Sequence, residues 1–507
     1  MDSKVSNDKT RQQAIVLDAQ ELGGPADEDD PKSWPLSRKW LIMSIVTWLC
    51  LVSPLASSIL APATSLIDAE FHNDSATLST FLVSFFILGY VVGSLIAAPL
   101  SEQYGRKVIL DITTTIFAIW QLACALAPNI TSLLVFRLFA GLGGSACLSI
   151  GGGIVSDLFD SNERGVATAV FALGPLLGPV IGPIIGGFLS QASGWRWVFW
   201  LLLIIGSLTA LLQIFASRET NLRLILARKR AFKDRPRKLW HRLDWYSPVD
   251  ISDAKGYKDV NLAQSMLRPW KVYIRLKTEQ FLLCRTNCVN TFQFIFTSPI
   301  TGMICLYSGF VYGLLYLLLT TVTTVFVQNY HWSIGISGLS YIGIGLGFLL
   351  GVLIIGSTSD RIMAKHTRLN DNVAVPEIRL KVCVYFSFLI PISFFWYGWS
   401  ADKQVFWLAP ILGLACFGLG LIGVFLPLQT YMIDAFPDYA ASSTAALASS
   451  RNVVGTFLPL AGPYLYRSLG LGWGNTILGF IALALIPAPY LIARYGSQLR
   501  LRYPIKI

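Results

Sequence analysis

The chain has 507 residues, 54% of them hydrophobic and 14% charged, with a mean hydropathy of +0.57 and a formal net charge of +11. Apolar runs of about twenty residues, long enough to cross a bilayer as helices, recur along its length and exclude an ordinary soluble domain. The eight cysteines lie mostly inside those runs without metal-ligand or disulfide spacing, so they read as small apolar fillers, and no metal or cofactor is expected.

In chain order, residues 1–39 form a polar tail of mixed charge that lacks the apolar core of a cleavable signal peptide. Twelve spans follow, at 40–61, 78–98, 108–127, 133–156, 166–190, 196–217, 298–326, 335–357, 380–400, 404–431, 439–466 and 472–494. They imply an all-α integral membrane protein with an N-terminal six-helix bundle at 40–217 and a C-terminal one at 298–494. A basic linker at 218–297 separates the bundles, and a short tail at 495–507 closes the chain. Six spans plus six is the layout of transporters built from repeated halves, with the substrate site between the halves.

With the long linker set aside, the loops on the side of the N-terminus carry 18 Lys and Arg. The opposite side carries three, Arg196, Lys403 and Arg467, which places both termini in the cytoplasm. The sequons at Asn73 and Asn129 then fall on the far side, as glycosylation requires. The linker holds 17 basic and 7 acidic residues and is expected to lie against the anionic inner leaflet. Nucleic-acid binding is the other reading of such a run, but topology already accounts for the charge.

Span five contains Gly174, Gly178, Gly182 and Gly186 at four-residue spacing, with Pro175, Pro179 and Pro183 after the first three and Gly187 after the last. Prolines inside a soluble helix cost about 3 kcal/mol each. In a membrane, neighbouring helices can re-satisfy the freed backbone groups, and glycine permits close approach. The stretch reads either as a general packing seam or as a bendable helix where two moving halves meet.

Several motifs carry a resemblance. Asp30-Pro-Lys-Ser-Trp-Pro35 precedes span one, and Ala98-Pro-Leu-Ser-Glu-Gln-Tyr-Gly-Arg-Lys107 joins spans two and three. Arg137-Leu-Phe-Ala-Gly141 lies in span four, and residues 178–187 in span five. With Gly194-Trp-Arg-Trp197, Pro376-Glu-Ile-Arg-Leu380 and Ser450-Arg-Asn-Val-Val-Gly455, they make the chain resemble the major facilitator superfamily, and within it the fungal twelve-span drug:proton antiporters. The resemblance implies that Glu102, Gly105, Arg106 and Lys107, echoed by Asp360 and Arg361 after span eight, act as a gating loop on the cytoplasmic side. Glu102 stands where the superfamily usually has Asp, and Ala140 where a Gln is common. Gly178, Pro179, Gly182, Pro183, Gly186 and Gly187 match the antiporter motif, which implies exchange or efflux rather than uptake.

No acid lies near the middle of any span; the buried charges are two arginines, Arg137 and Arg451. Each either binds backbone carbonyls or faces a cavity and meets a substrate anion. A polycation is then a poor cargo, and a neutral aromatic or weakly acidic organic molecule a better one. Proton coupling would fall to the edge carboxylates Asp157, Asp434, Glu102 or Asp111. Tyr312, Tyr316, Gln429 and Asn452 are candidate lining residues, with Tyr90, Tyr307, Tyr341, Thr320 and Thr430 as further polar handles.

There is no Walker sequence, and Gly343-Ile-Gly-Leu-Gly347 sits inside a span rather than after a strand, so neither an ATP-driven pump nor a dinucleotide enzyme is indicated. The expectation is a plasma-membrane exporter of small organic molecules, monomeric and exchanging its cargo for protons. A vacuolar location, a proton-independent facilitator and a non-transporting sensor of the same fold remain the alternatives.

Overall fold

A computed structural model describes residues 30–159, 163–222, 224–226, 299–369, 377–435 and 440–502. Among these residues all regular structure is helical. That is the expected solution where lipid offers no hydrogen bonds and each backbone amide must be satisfied within its own segment.

The first bundle comprises α1 (Leu36–Ser58), α2 (Ala76–Tyr104), α3 (Arg106–Ala125), α4 (Ile130–Gly144 continued by Ala146–Leu158), α5 (Arg164–Ser193) and α6 (Arg196–Ala216). The second comprises α7 (Pro299–Tyr330), α8 (Ile342–Leu369, after a short helix Ile334–Ser337), α9 (Ile378–Ser387 continued by Leu389–Asp402), α10 (Leu408–Ala435), α11 (Ala440–Phe457) and α12 (Ala461–Leu485 continued by Pro487–Arg502). Among the described residues, eleven stretches are long and apolar enough to span a membrane. The last of them, Ser443–Gly496, is interrupted at Gly470, whose φ of +77° turns the chain back and yields a twelfth pass.

Pairing within the bundles follows one pattern. The main contacts of the first half are α1 with α5, α2 with α4 and α3 with α6; those of the second are α7 with α11, α8 with α10 and α9 with α12. Two pseudo-symmetric bundles therefore stand side by side, joined mainly by α2 against α11 and by α5 against α8 and its preceding turn.

Span five settles into a single helix through all three prolines. Its glycine face is the seam to α1: a Cβ on Gly178 would lie 2.7 Å from the Leu51 carbonyl oxygen, and one on Gly182 2.8 Å from that of Leu55. Gly186 abuts the carbonyl of Ile59. The same helix turns another face to the second bundle, where Val180 meets Gly345, Pro183 meets Gly338 and Gly187 meets Ile334. It thus lies at the contact between the halves, while most of its glycines serve a seam within one half. Gly343 and Gly347 press on Ile411 and Ala415 of α10.

Two boundaries differ from the apolar pattern. Helix α8 runs on to Leu369, some twelve residues past the end of its apolar run at 357, because no Gly or Pro interrupts the polar residues that follow Gly356. The start of the linker belongs to the first bundle, since Leu224 and Ile225 are buried and Glu219, Thr220 and Asn221 bond to α3, α4 and α2 respectively. The remainder of the linker, with Cys284 and Cys288, and residues 1–29 lie outside the described residues.

Candidate functional site

At the end of the molecule where the described chain begins, Gly105 closes α2 with φ +112° and α3 starts at once. The exposed amides at the start of a helix attract an anion. Glu219, 1% exposed, fills that place: its Oε1 accepts from Arg106 N at 2.9 Å and its Oε2 from Lys107 N at 3.2 Å. Any Cβ at residue 105 would collide with this carboxylate, so the glycine is required by both its φ and its neighbour. The Arg106 side chain crosses Gly153 of α4 to reach Asp157, with Nε 3.3 Å from Oδ2, and also donates to Ser101 Oγ at 2.9 Å. Thr220 donates a longer bond of 3.4 Å to the same carboxylate oxygen. Lys107 Nζ pairs with Asp111 at 2.5 Å and donates to the Ile214 carbonyl at 3.1 Å, tying α3 to α6. Glu102 is exposed, and its carbonyl accepts from Asn221 at 3.4 Å.

The second bundle repeats the central pair. Arg379 at the start of α9 donates through Nε to Asp434 at the end of α10, at 2.8 Å. The backbone of Asp360 and Arg361 continues α8, but their side chains lie outside the described residues.

Midway along the bundles, polar groups meet at the junction of the halves. Tyr90 and Ser53 share a 2.6 Å hydrogen bond inside the first bundle, and Ser53 donates to the Gly144 carbonyl at 2.7 Å. Tyr316 of α7 reaches across to Ser57 of α1 at 3.1 Å. The ring of Tyr312 lies 5.2 Å from that of Tyr316, and the Arg451 guanidinium is 5.4 Å from the Tyr312 ring centre and 4.3 Å from that of Phe425. Arg451 makes no hydrogen bond among the described residues, and its Nε and Nη1 are buried. Asn452 is 8% exposed and Gln429 half-buried. Tyr341 bonds within the second bundle, to Thr323 and the Leu319 carbonyl, and Tyr307 is buried there; neither reaches across to the first bundle in the way Tyr316 does.

Arg137 has another environment. It is 1% exposed, donates to the carbonyls of Ala56 at 3.3 Å and Ser57 at 3.0 Å, and lies between the rings of Phe86 and Phe199. Those carbonyls belong to the last turn of α1, where no amide of the helix is left to take them. A cation there also complements the helix dipole.

At the opposite end the halves are joined by Thr77 and Tyr464, 2.6 Å apart, and by Gln191, which accepts from Gly335 N at 2.6 Å. Asn73 holds its loop through bonds to Asp68, Ser75 and Ser79, and Asn129 caps α4 by accepting from Ser132 N at 2.8 Å. Both sequons therefore lie at this end. Among the described residues no cluster of three His, Cys, Asp or Glu could hold a metal.

Sequence reasoning missed Glu219, which looked like one of seven linker acids; the signal that could have found it is an acid close after span six in a chain that has Gly-Arg-Lys at the start of span three.

Residues 46–459 match the family model described as Major Facilitator Superfamily. The chain is 44% identical over 486 residues to the MFS transporter cpaT of Aspergillus oryzae, covering 96% of this chain and 92% of the relative. It is 41% identical over 477 residues to the MFS-type transporter penM of Penicillium rubens, covering 94% and 88%. It is 38% identical to the efflux pump radE of Floropilus chiversii, covering 96% and 85%. The fold is that of the xylose transporter XylE from E. coli in a partially occluded inward open conformation, with a TM-score of 0.62 at 14% identity over 90% of this chain and 98% of that one. The chain belongs to the major facilitator superfamily, as a multi-pass membrane transporter of small molecules.

Proposed function

We propose that this transporter exports small organic molecules by alternating access, in exchange for protons, across the plasma membrane with both termini in the cytoplasm. The observation that carries the reading is the way the halves meet: Ser57–Tyr316 at mid-height, then Thr77–Tyr464 and Gln191–Gly335 at the far end, with small residues between α5 and α8. Few polar bonds hold that end shut, so the halves can part there at modest cost. The cargo would sit beside Tyr312, Tyr316, Gln429, Arg451 and Asn452. Outward direction is supported by the antiporter motif of α5 and by the efflux pump among the relatives. For the proton, Asp157 is the first candidate and Asp434 the second: each is a carboxylate held by one arginine at the face where the bundles would open. Exchange of the arginine for a proton would free the carboxyl and loosen the loop around Arg106.

The test uses inverted membrane vesicles with an imposed proton gradient and a panel of neutral, cationic and carboxylated aromatic compounds. Uptake should depend on the gradient and release lumenal protons. The double variant Thr77→Cys/Tyr464→Cys, bridged by a short bis-methanethiosulfonate reagent that spans the gap left by the Tyr464 ring, should lose uptake and regain it on reduction. Uptake that ignores the gradient would remove proton exchange, and uptake that survives a formed cross-link would sink opening at the far end.

A further inference from the structure

We propose that Arg451 is a receptor for an anionic head group, and that the cargo class is aromatic carboxylates carrying a single negative charge. This rests on the export reading above and narrows its cargo.

A guanidinium drawn out of water needs partners for its charge and its donors. Five N–H donors and a full charge removed from water demand acceptors, and an isolated buried cation is costly. Arg137 meets the demand with two carbonyls. Arg451 is half-buried, with rings at two places, Tyr312 and Phe425, and no described hydrogen-bond acceptor, and its Nε and Nη1 are withdrawn from water. Cation–π contacts offset part of that cost, but they occupy the faces of the guanidinium and leave its N–H edge free. No counter-ion stands ready: α7 and α11 contain no acid, and the one acid of α10, Asp434, is bonded to Arg379.

The surroundings fit one kind of ligand. A carboxylate matches the N–H edge of a guanidinium bidentately. Gln429 lies four residues after Phe425, hence on the same face of α10, and its amide has no partner among the described residues. Asn452 beside the arginine likewise has no side-chain partner there. Gln429 thus offers an adaptable amide on the face of α10 that carries Phe425 against Arg451. Gly455, one turn beyond Arg451, lets both rings pack directly onto α11, since a Cβ there would lie 3.2 Å from Tyr312 and 3.5 Å from Tyr316. Once the Tyr316–Ser57 bond opens, a flat aromatic body can lie against the Tyr316 ring while its carboxylate meets Arg451. The Tyr316–Ser57 bond crosses between the halves at this point, so a ligand placed here touches both and can bias their separation.

The test measures binding to the purified full-length protein in lipid nanodiscs. The probes are a panel of aromatic carboxylates, 1-naphthoate and indole-3-acetate among them, each paired with its uncharged primary amide and with the corresponding amine. In the wild type at least one acid should bind about tenfold or more tightly than its amide, and more tightly than its amine. Arg451→Gln should bring the acid-to-amide ratio to about one, and Arg451→Lys should restore part of it. The inference is overturned if no acid in the panel binds better than its amide in the wild type, a result that needs no variant to fold. It is also overturned if the preference survives in Arg451→Gln. Gradient-driven uptake of neutral compounds without any acid preference would leave the export reading standing and remove this one; absence of gradient-driven uptake for every compound alongside a clear acid preference would do the reverse.

Discussion

Each bundle holds one arginine inside a span, Arg137 buried and Arg451 half-buried, and the two teach different things. Arg137 and Arg451 both lie against two aromatic rings. Arg137 faces the end of a broken helix, where carbonyls lack amide partners. Arg451 faces α7, which runs unbroken from Pro299 to Tyr330 and has already used its carbonyls internally. The identity of the residue is the same, and the difference lies in whether the neighbouring helix has ended. The first arginine is a cap that helps define the bundle, and the second is a charge held in reserve.

The largest effect should break this comparison at once. Arg137→Ala removes the donors of two buried carbonyls and leaves a void between Phe86 and Phe199. The loss should be about 3–5 kcal/mol, by analogy with other broken buried charge contacts. Arg451→Gln removes a cation that has no counter-charge, so its melting temperature in detergent should match or exceed that of the wild type. Equal destabilisation by both substitutions would show that Arg451 is structural too, and the contrast would collapse.

A second comparison sets two glycines against each other in the same bundle. Gly186 lies on the carbonyl of Ile59 in the α1–α5 seam, whereas a Cβ at Gly152 of α4 meets nothing within 4 Å. Gly186→Ala must push α1 from α5 and should cost about 1–3 kcal/mol as overpacking. Gly152→Ala should leave the melting temperature unchanged. Because α5 also forms the contact with α8, Gly186→Ala should slow transport as well, which a vesicle uptake assay reads separately from stability.

The sequence carried the fold well, and the reason is physical. Spans must be long and apolar, and charge in the short loops is biased by side, so both leave marks on composition. The glycine period of α5 announced a close seam, but not that α1 would be the partner of most of it, since every helix of a bundle is a possible neighbour. Arg137 and Arg451 could not be told apart for the same reason: free carbonyls at Ala56 and Ser57 exist only once α1 ends at Ser58 and α4 lies beside it. Glu219 was hidden more deeply. Its importance comes from the amides of Arg106 and Lys107, 113 and 112 residues away, so it shows only when the acid after span six is read together with the Gly-Arg-Lys that opens span three.

The smallest predicted effect concerns the paired ion bridges, where geometry and burial pull in opposite directions. Arg379–Asp434 is the shorter at 2.8 Å, against 3.3 Å for Arg106–Asp157. The side chains of the first-bundle pair are less exposed, at 15% and 24%, than those of the second, at 18% and 36%. Screening by solvent and salt weakens an exposed pair more than a few tenths of an ångström strengthens it. Asp157 also accepts from Thr220, so the docked segment after α6 holds it in place. Double-mutant cycles on melting stability should therefore give a coupling of about 1 kcal/mol or less for Arg379–Asp434, falling with added salt, and a larger, less salt-sensitive one for Arg106–Asp157. A coupling larger in the second bundle would mean that bond length outweighs burial here, and that the two loops are closer equivalents than their surroundings suggest.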